Sequence, residues 1–376
     1  MAKNGTHALQ NSPDTSREAL RVAFLNANNW GDAQRTPLAA DASTRRYERL
    51  SRNLGSEHVM FMDAPILAEG APCPVDADET IRNQMGWNAQ SRLAASRVEA
   101  FVAIATHLNA IGLSAPKILA YDLEHGFALL EDFGDAIFAR VIEKGENEPR
   151  LYAAAAKALA IVHQIPVPPT LPAGDISWPI LEFDRLALSV NADLFVDWMP
   201  AYDPQTHVTD TDRSNWETAK QNLIDQALSF PRALIMRDYH AENLIWLPER
   251  TGAKQVGLLD FQDAVLGWGE WDFAMLLQDA RRNVTQTAAE AAILSYLEET
   301  GGEREEFDKR LAVLGALNAL RVAGIFARLV KRDSKPKYSN FQPRQLKLLA
   351  QNLQHPALAE MRDVFKSIAP HILELA

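Results

Sequence analysis

This chain has almost no cysteine, no lysine over most of its first third, and no glycine-rich phosphate loop. Its only cysteine is Cys73, which excludes an intramolecular disulfide framework and a cysteine-based metal site. No lysine occurs between Lys3 and Lys117, so no strand lysine is available there to grip nucleotide phosphates. The pattern G-x-G-x-x-G is absent from all 376 residues. No run approaches the roughly 18 consecutive apolar residues of a membrane span. The stretch from Met1 to Arg17 is polar and lacks the apolar centre of a signal peptide, so a cytoplasmic location is expected. Positive charge is also scarce: the net charge is −11 and the pI about 5.4, which argues against general nucleic-acid binding. The sequence is silent on oligomeric state.

What is present is ample apolar material, 47% of the chain, enough for a large core and, at this length, for two lobes. Residues 1–17 read as a disordered tail. A short helix is expected over Leu20 to Ala27, opening at Ser16. Strand patterns follow at Thr36 to Leu38, Arg45 to Leu50 and Val59 to Met62, with a turn at Asp41-Ala42-Ser43. Ala68 to Asp78, with Gly70, Pro72 and Pro74, reads as a loop. Arg97 to Leu113 has helical spacing, and Ile118 to Tyr121 and Phe127 to Leu130 are strand-like. The shift at Glu131-Asp132-Phe133-Gly134-Asp135 marks a lobe boundary, giving a first lobe over 18–132 and a second over 133–376. Beyond it the pattern is mainly helical, with Pro166 to Gly174 a loop.

The chemistry is concentrated in Met236-Arg237-Asp238-Tyr239-His240-Ala241-Glu242-Asn243 and, seventeen residues past Asn243, Asp260 in Leu258-Leu259-Asp260-Phe261-Gln262. An Asp, an Asn five positions on, and a second Asp after an apolar run is the layout of a kinase site. Asp238 suits the base that orients and deprotonates an acceptor hydroxyl. Asn243 and Asp260 offer hard oxygen ligands, which suit magnesium and not zinc. Each residue taken alone has a plainer role: a turn cap for Asp238, a turn amide for Asn243, a strand-end carboxylate for Asp260. The joint spacing is what favours the functional role. Leu244 to Leu247 and Gln255 to Leu259 form a hairpin in this reading, which would carry Asn243 and Asp260 to one end. Asp263 is either a metal or substrate contact or a local cap. Arg237 is expected in a structural ion pair, and Asp272 as an N-cap or loop anchor.

The first lobe must handle phosphate without lysine. Arg46 and Arg49 are the candidates, with exposed strand charges as the alternative, and Glu99 could pair with one of them. Glu131 to Phe133 is where an adenine would meet backbone groups. Against the acidic background, Arg321 to Lys347 holds eight basic residues and one acidic, Asp333. A solvated face accounts for most of these; an anionic substrate is the functional alternative. Of the two arginines on one helix, Arg328 is expected to point inward rather than Arg321. Trp198 either stacks on a sugar or fills the core.

These stretches resemble the aminoglycoside phosphotransferase and choline kinase superfamily, through Arg237 to Leu244 and Leu259 to Ala264. Four further stretches are similar to bacterial N-acetylmuramate/N-acetylglucosamine anomeric kinases of cell-wall recycling. They are Asp41 to Tyr47, Met62 to Pro65, Leu194 to Trp198, and Gly324 to Leu329 with Lys331-Arg332-Asp333. The resemblance runs from about Asp41 to Arg344. It implies an α+β, protein-kinase-like bilobal fold, with a small antiparallel-sheet N-lobe and a larger, mostly helical C-lobe. It also implies ATP and Mg²⁺ as cofactors, a small sugar as substrate, Asp238 as base and Asn243 and Asp260 as metal ligands. Met236 departs from the histidine that many relatives carry there. The competing readings are a kinase of another small alcohol, such as choline or an aminoglycoside, and a nucleotide-binding pseudokinase. The basic stretch weighs against a cationic acceptor, and the intact trio of Asp238, Asn243 and Asp260 weighs against the pseudokinase.

Overall fold

A computed structural model describes residues 13–39, 44–66 and 70–376. The turn expected at Asp41-Ala42-Ser43 and residues 1–12 lie outside them. Two compact units emerge: residues 1–69, 96–98 and 117–132 in the first, and 70–95, 99–116 and 133–376 in the second. The last segment of the second unit begins at Phe133, directly after Asp132. Residues 70–95 and 99–116, read from sequence as part of the first lobe, belong instead to the second unit.

In the first unit, five antiparallel strands run in the order β1-β2-β3-β5-β4: β1 Gln34–Pro37, β2 Arg46–Arg52, β3 Glu57–Asp63, β4 Ile118–Asp122 and β5 Phe127–Glu131. Alternation explains the sheet: Leu50, Val59, Phe61, Phe127 and Leu129 are buried on one face. Helix α1, Pro13–Ala27, covers that face with Phe24 and Leu25. It begins at Pro13, so residues 13–17 are helical and not part of a tail. Arg21 and Arg35 both pair with Glu48 of β2, and Arg17 with Asp63 of β3, fastening helix to sheet.

The second unit is mainly helical. Its early helices are α2 Glu79–Met85, α3 Trp87–Gln90, α4 Val98–Ala110 (all but its first residue), α5 Phe138–Glu143 and α6 Glu148–Gln164. A hairpin of β6 Thr170–Ala173 and β7 Ile176–Pro179 follows, where the sequence suggested a loop. The long helices α7 Arg185–Tyr202 and α8 Asp210–Leu228 come next. Four short strands then alternate with turns: β8 Ala233–Ile235, β9 Leu244–Trp246, β10 Val256–Leu258 and β11 Val265–Gly267. They pair antiparallel as β9 with β10 and β8 with β11. Helices α9 Gly269–Leu277, α10 Gln286–Thr300, α11 Arg304–Lys331, α12 Gln342–Leu353, α13 Ala359–Ile368 and α14 Pro370–Leu373 complete the chain. By length and composition α11 could cross a membrane, although no uninterrupted apolar run suggested one. It packs on α7, α9 and α12, and Gly324 lets it approach the α7 backbone so closely that a Cβ there would stand 2.3 Å from the Leu194 carbonyl carbon.

Candidate active site

The β9–β10 pairing aligns Leu244 with Leu258, and the Leu259 amide donates to the Asn243 carbonyl at 3.0 Å. Asn243 and Asp260 therefore flank the same end of one hairpin, as their spacing indicated. The hairpin is packed tightly from outside: a Cβ on Gly257 would lie 2.9 Å from the Phe133 ring and 3.1 Å from Ile245. The Arg250 guanidinium lies over that Phe133 ring at 5.0 Å. The Phe133 side chain is thus a packing element of the hairpin.

Strand β8 delivers Asp238. The Asp272 carboxylate, fully buried in the first turn of α9, accepts the Met236 and Arg237 amides at 2.8 Å each. This fixes the backbone just ahead of Asp238, so Asp272 is the loop anchor of the two roles considered. Arg237 has a left-handed backbone (φ +70°) and is buried. It makes no ion pair among the described residues; it donates to the Ser91 carbonyl at 2.9 Å and lies over the Phe183 ring. Burial lowers its pKa, while Asp263, Asp238 and Asp272 oppose that shift. The expected ion pair is replaced by carbonyl and aromatic contacts within the field of those carboxylates.

The half-buried Asp238 carboxylate accepts no hydrogen bond from any described residue, so both oxygens remain open to an incoming hydroxyl. The Asn243 side chain is oriented by its amide nitrogen, which donates to the Asp238 carbonyl at 2.9 Å and contacts His240 Nε2 at 3.4 Å. That leaves the Asn243 side-chain oxygen without a donor among the described residues. Asp260 has a left-handed backbone (φ +56°), and its Oδ1 accepts from Gln262 at 3.0 Å. Phe261 anchors it by stacking on Phe101 of α4, with ring centroids 4.8 Å apart. Two oriented hard oxygens at one hairpin end fit magnesium. Left-handed backbone in a non-glycine residue is costly and persists where its surroundings enforce it.

Other candidates fall outside this cluster. Asp263 Oδ1 accepts the amide of Ala94, a residue distant in sequence, at 2.6 Å, and its Oδ2 lies 3.4 Å from the Gln262 amide nitrogen. Trp198 is partly buried against the helical core, the plainer alternative. Arg328 stacks over Trp87 at 5.2 Å. Arg321, ranked below Arg328 from sequence, is the one that interacts electrostatically with Asp238. The two are seven residues apart on one helix, hence on the same stripe but about 10 Å apart along the axis; spacing alone could not separate them. In the first unit, Arg49 makes a two-pronged pair with Asp132 at 2.6 and 3.1 Å, a partner the sequence did not suggest. Arg46 is exposed at the start of β2 and makes no ion pair among the described residues. Glu131 ends β5, with Oε2 accepting the Lys117 amide at 3.2 Å. Glu99 is buried in the second unit.

His240 closes the site's far side. Its Nε2 faces Asn243 and the Arg281 guanidinium at 3.3 Å, and its Nδ1 is buried without a partner. Burial, reinforced by Arg281, lowers its pKa, and the ring lies beside the Asn243 amide nitrogen.

Fold and site together define a kinase-like phosphotransferase. The fold is that of the choline/ethanolamine kinase family protein from Mesorhizobium loti (TM-score 0.56, 14% identity, 93% of this chain and 98% of that one). It is shared with an ADP-bound aminoglycoside phosphotransferase (TM-score 0.50, 13% identity, 88% and 98%). The chain belongs to the phosphotransferase enzyme family, whose model matches residues 34–308. Such an enzyme moves a phosphoryl group from a bound nucleotide. The chain is 46% identical to a Caulobacter vibrioides protein named N-acetylmuramate/N-acetylglucosamine kinase, over 95% of this chain and 98% of that protein. A Pseudomonas putida protein of the same name is 29% identical over 93% and 94%.

Proposed function

We propose that this enzyme transfers the γ-phosphoryl group of ATP to the anomeric hydroxyl of N-acetylmuramate and N-acetylglucosamine, giving the sugar 1-phosphates, in cytoplasmic peptidoglycan recycling. The observation that carries the mechanism is the uncommitted Asp238 carboxylate beside an oriented Asn243 oxygen and Asp260. The names of the similar proteins support the acceptor.

In this mechanism Asp238 accepts a hydrogen bond from the anomeric hydroxyl, orients its oxygen toward the γ-phosphorus and takes its proton as the new O–P bond forms and the bond from the γ-phosphorus to the bridging β-phosphate oxygen breaks, releasing ADP. An anomeric hydroxyl is more acidic than an ordinary alcohol, so a carboxylate base is adequate. Asn243 and Asp260 would hold Mg²⁺, which when bound neutralises charge on the nucleotide phosphates. Asp272 keeps Asp238 in place through the two amides ahead of it.

The test is ATP consumption with Mg²⁺, offering N-acetylmuramate, N-acetylglucosamine, glucose, choline and kanamycin in parallel, with Asp238→Asn alongside. Turnover of the amino sugars with phosphate on C1, lost in the variant, supports the reading. Turnover of only choline or kanamycin, or of no acceptor, refutes it.

A further inference from the structure

The chain that follows α3 is irregular, yet it is held along its length. The Ala89 and Gln90 carbonyls, at the end of α3, accept from Arg82 Nε at 3.1 Å and Arg82 Nη2 at 2.7 Å. The next two carbonyls, those of Ser91 and Arg92, accept from Arg237 Nη1 at 2.9 and 3.4 Å. Two buried arginines thus serve four successive carbonyls. Two residues further on, the Ala94 amide donates to Asp263 Oδ1 at 2.6 Å. Arg82 is itself held by the Asp184 carboxylate. Ser91, Ala94 and Ala95 are buried, and Arg92 and Ala95 have left-handed backbones (φ +58° and +51°). Such a conformation is costly in a non-glycine residue and persists where its surroundings enforce it.

What holds this segment belongs to the candidate active site. Arg237 directly precedes the proposed base, Asp238. Asp263 lies three residues past the proposed metal ligand, Asp260. The two carboxylates share one donor: Gln262 Nε2 stands 3.0 Å from Asp260 Oδ1 and 3.4 Å from Asp263 Oδ2, and Gln262 is buried. An unbroken path therefore runs from Asp238 through Arg237 to residues 91–94, and on through Asp263 and Gln262 to Asp260. Asp238 follows β8, which pairs with β11, and Asp260 follows β10, which pairs with β9. Strand register within either pair sets no spacing between the two carboxylates. Asn243 supplies one link, through the Asp238 carbonyl; the irregular segment supplies a second. Transfer needs the attacking oxygen and the γ-phosphorus held in a narrow range, and a 1 Å misplacement can cost about 10²-fold.

We infer that Arg237 and Asp263 are positioning residues, and that residues 89–94 are the template through which they set the separation of base from metal ligand. This rests on the roles proposed above for Asp238 and Asp260. The template offers only main-chain atoms to the two residues, so its shape matters more than its side chains.

The experiment compares wild-type protein with Asp263→Asn, Asp263→Ala, Arg237→Lys and the double variant Asp263→Ala/Arg237→Lys. Each is followed by hydrogen exchange without substrate and by steady-state kinetics with MgATP and N-acetylglucosamine. Asn keeps an oxygen for the Ala94 amide, and Ala keeps none. Asp263→Ala is expected to lower kcat roughly 10- to 100-fold with KM for ATP changed less than about threefold, and Asp263→Asn to recover most of that loss. The double variant should lose less than the product of the single losses, because both residues act through one segment. In Asp263→Ala, peptides covering 89–95 and 236–243 should lose exchange protection together. Fully multiplicative losses, or deprotection confined to 89–95, would overturn the assignment. Should Asp263→Ala not fold, Asp263→Asn decides: a large loss of kcat with exchange unchanged would mean that Asp263 acts by its charge and not through the template. Wild-type protein that turns over no sugar refutes the sugar-kinase reading, and the exchange result, taken without substrate, is independent of it.

Discussion

Asp272 and Arg237 are 35 residues apart in sequence, yet the Asp272 carboxylate accepts the Arg237 backbone N–H at 2.8 Å. Its other oxygen holds the Met236 amide, so one fully buried carboxylate fixes the peptide that leads into Asp238. Replacing it with Asn turns one acceptor into a donor facing an N–H. Asp272→Asn should lower stability by about 1–3 kcal/mol and lower kcat while leaving KM for ATP near its original value. Urea denaturation with steady-state kinetics checks this; unchanged kcat at reduced stability would confine Asp272 to a structural role.

The open carboxylate of Asp238 makes a sharper case. Asp238→Asn keeps the shape and removes the proposed base, so kcat should fall by roughly 10²- to 10⁴-fold. Nucleotide affinity, measured by calorimetry, should stay within a few-fold. A variant retaining a tenth of wild-type kcat would rule out general-base catalysis by this residue.

Asp260 needs a substitution that respects its left-handed backbone. Asn tolerates that conformation, whereas Ala would add strain to the chemical loss. Asp260→Asn should therefore fold normally and require a higher Mg²⁺ concentration for half-maximal rate, by roughly tenfold or more. Titration of activity against Mg²⁺ decides it, and an unshifted curve would remove Asp260 from the proposed ligand set.

Packing at the hairpin can be probed without touching chemistry. A Cβ at Gly257 would collide with the Phe133 ring and Ile245. Gly257→Ala should cost about 1–3 kcal/mol as those groups shift. Thermal melting of Gly257→Ala, alone and with Phe133→Leu, would show whether relieving the ring contact recovers the loss.

Asp184 links stability to pH. It caps α7 through the Ala187 amide and takes Arg82 Nη2 at 2.9 Å and Arg92 at 3.2 Å. Burial pushes its pKa up, but Arg82, the Ala187 amide and Arg92 outweigh it and hold the carboxyl below the usual 3.8. The folded pKa is thus the lower one. Its stabilisation is complete above pH 3.8 and lost as pH falls through the folded value. The melting-temperature gap between wild type and Asp184→Asn should accordingly narrow below pH 3.8; a gap constant from pH 6 to 3 would contradict this linkage.

Much of the site was legible because its parts are local. Asn243 and Asp260 flank a hairpin whose apolar strands and turn are visible in the sequence, and Asp238 lies five residues before the hairpin's first ligand. The tail boundary, the β6–β7 hairpin and the pairing of Val265–Gly267 with β8 were missed, because short strands carry too few residues to show a period. Arg49 could not be matched to Asp132, because that choice depends on which residues distant in the chain come together.

The contiguity of the phosphoryl-transfer parts has a consequence for how such enzymes diversify. The proposed base, the two proposed ligands and the anchor of the base all lie between Ala233 and Leu277. The proposed transfer machinery is thus encoded in one short stretch of the chain, and it can be inherited as a block while the helices outside that stretch vary.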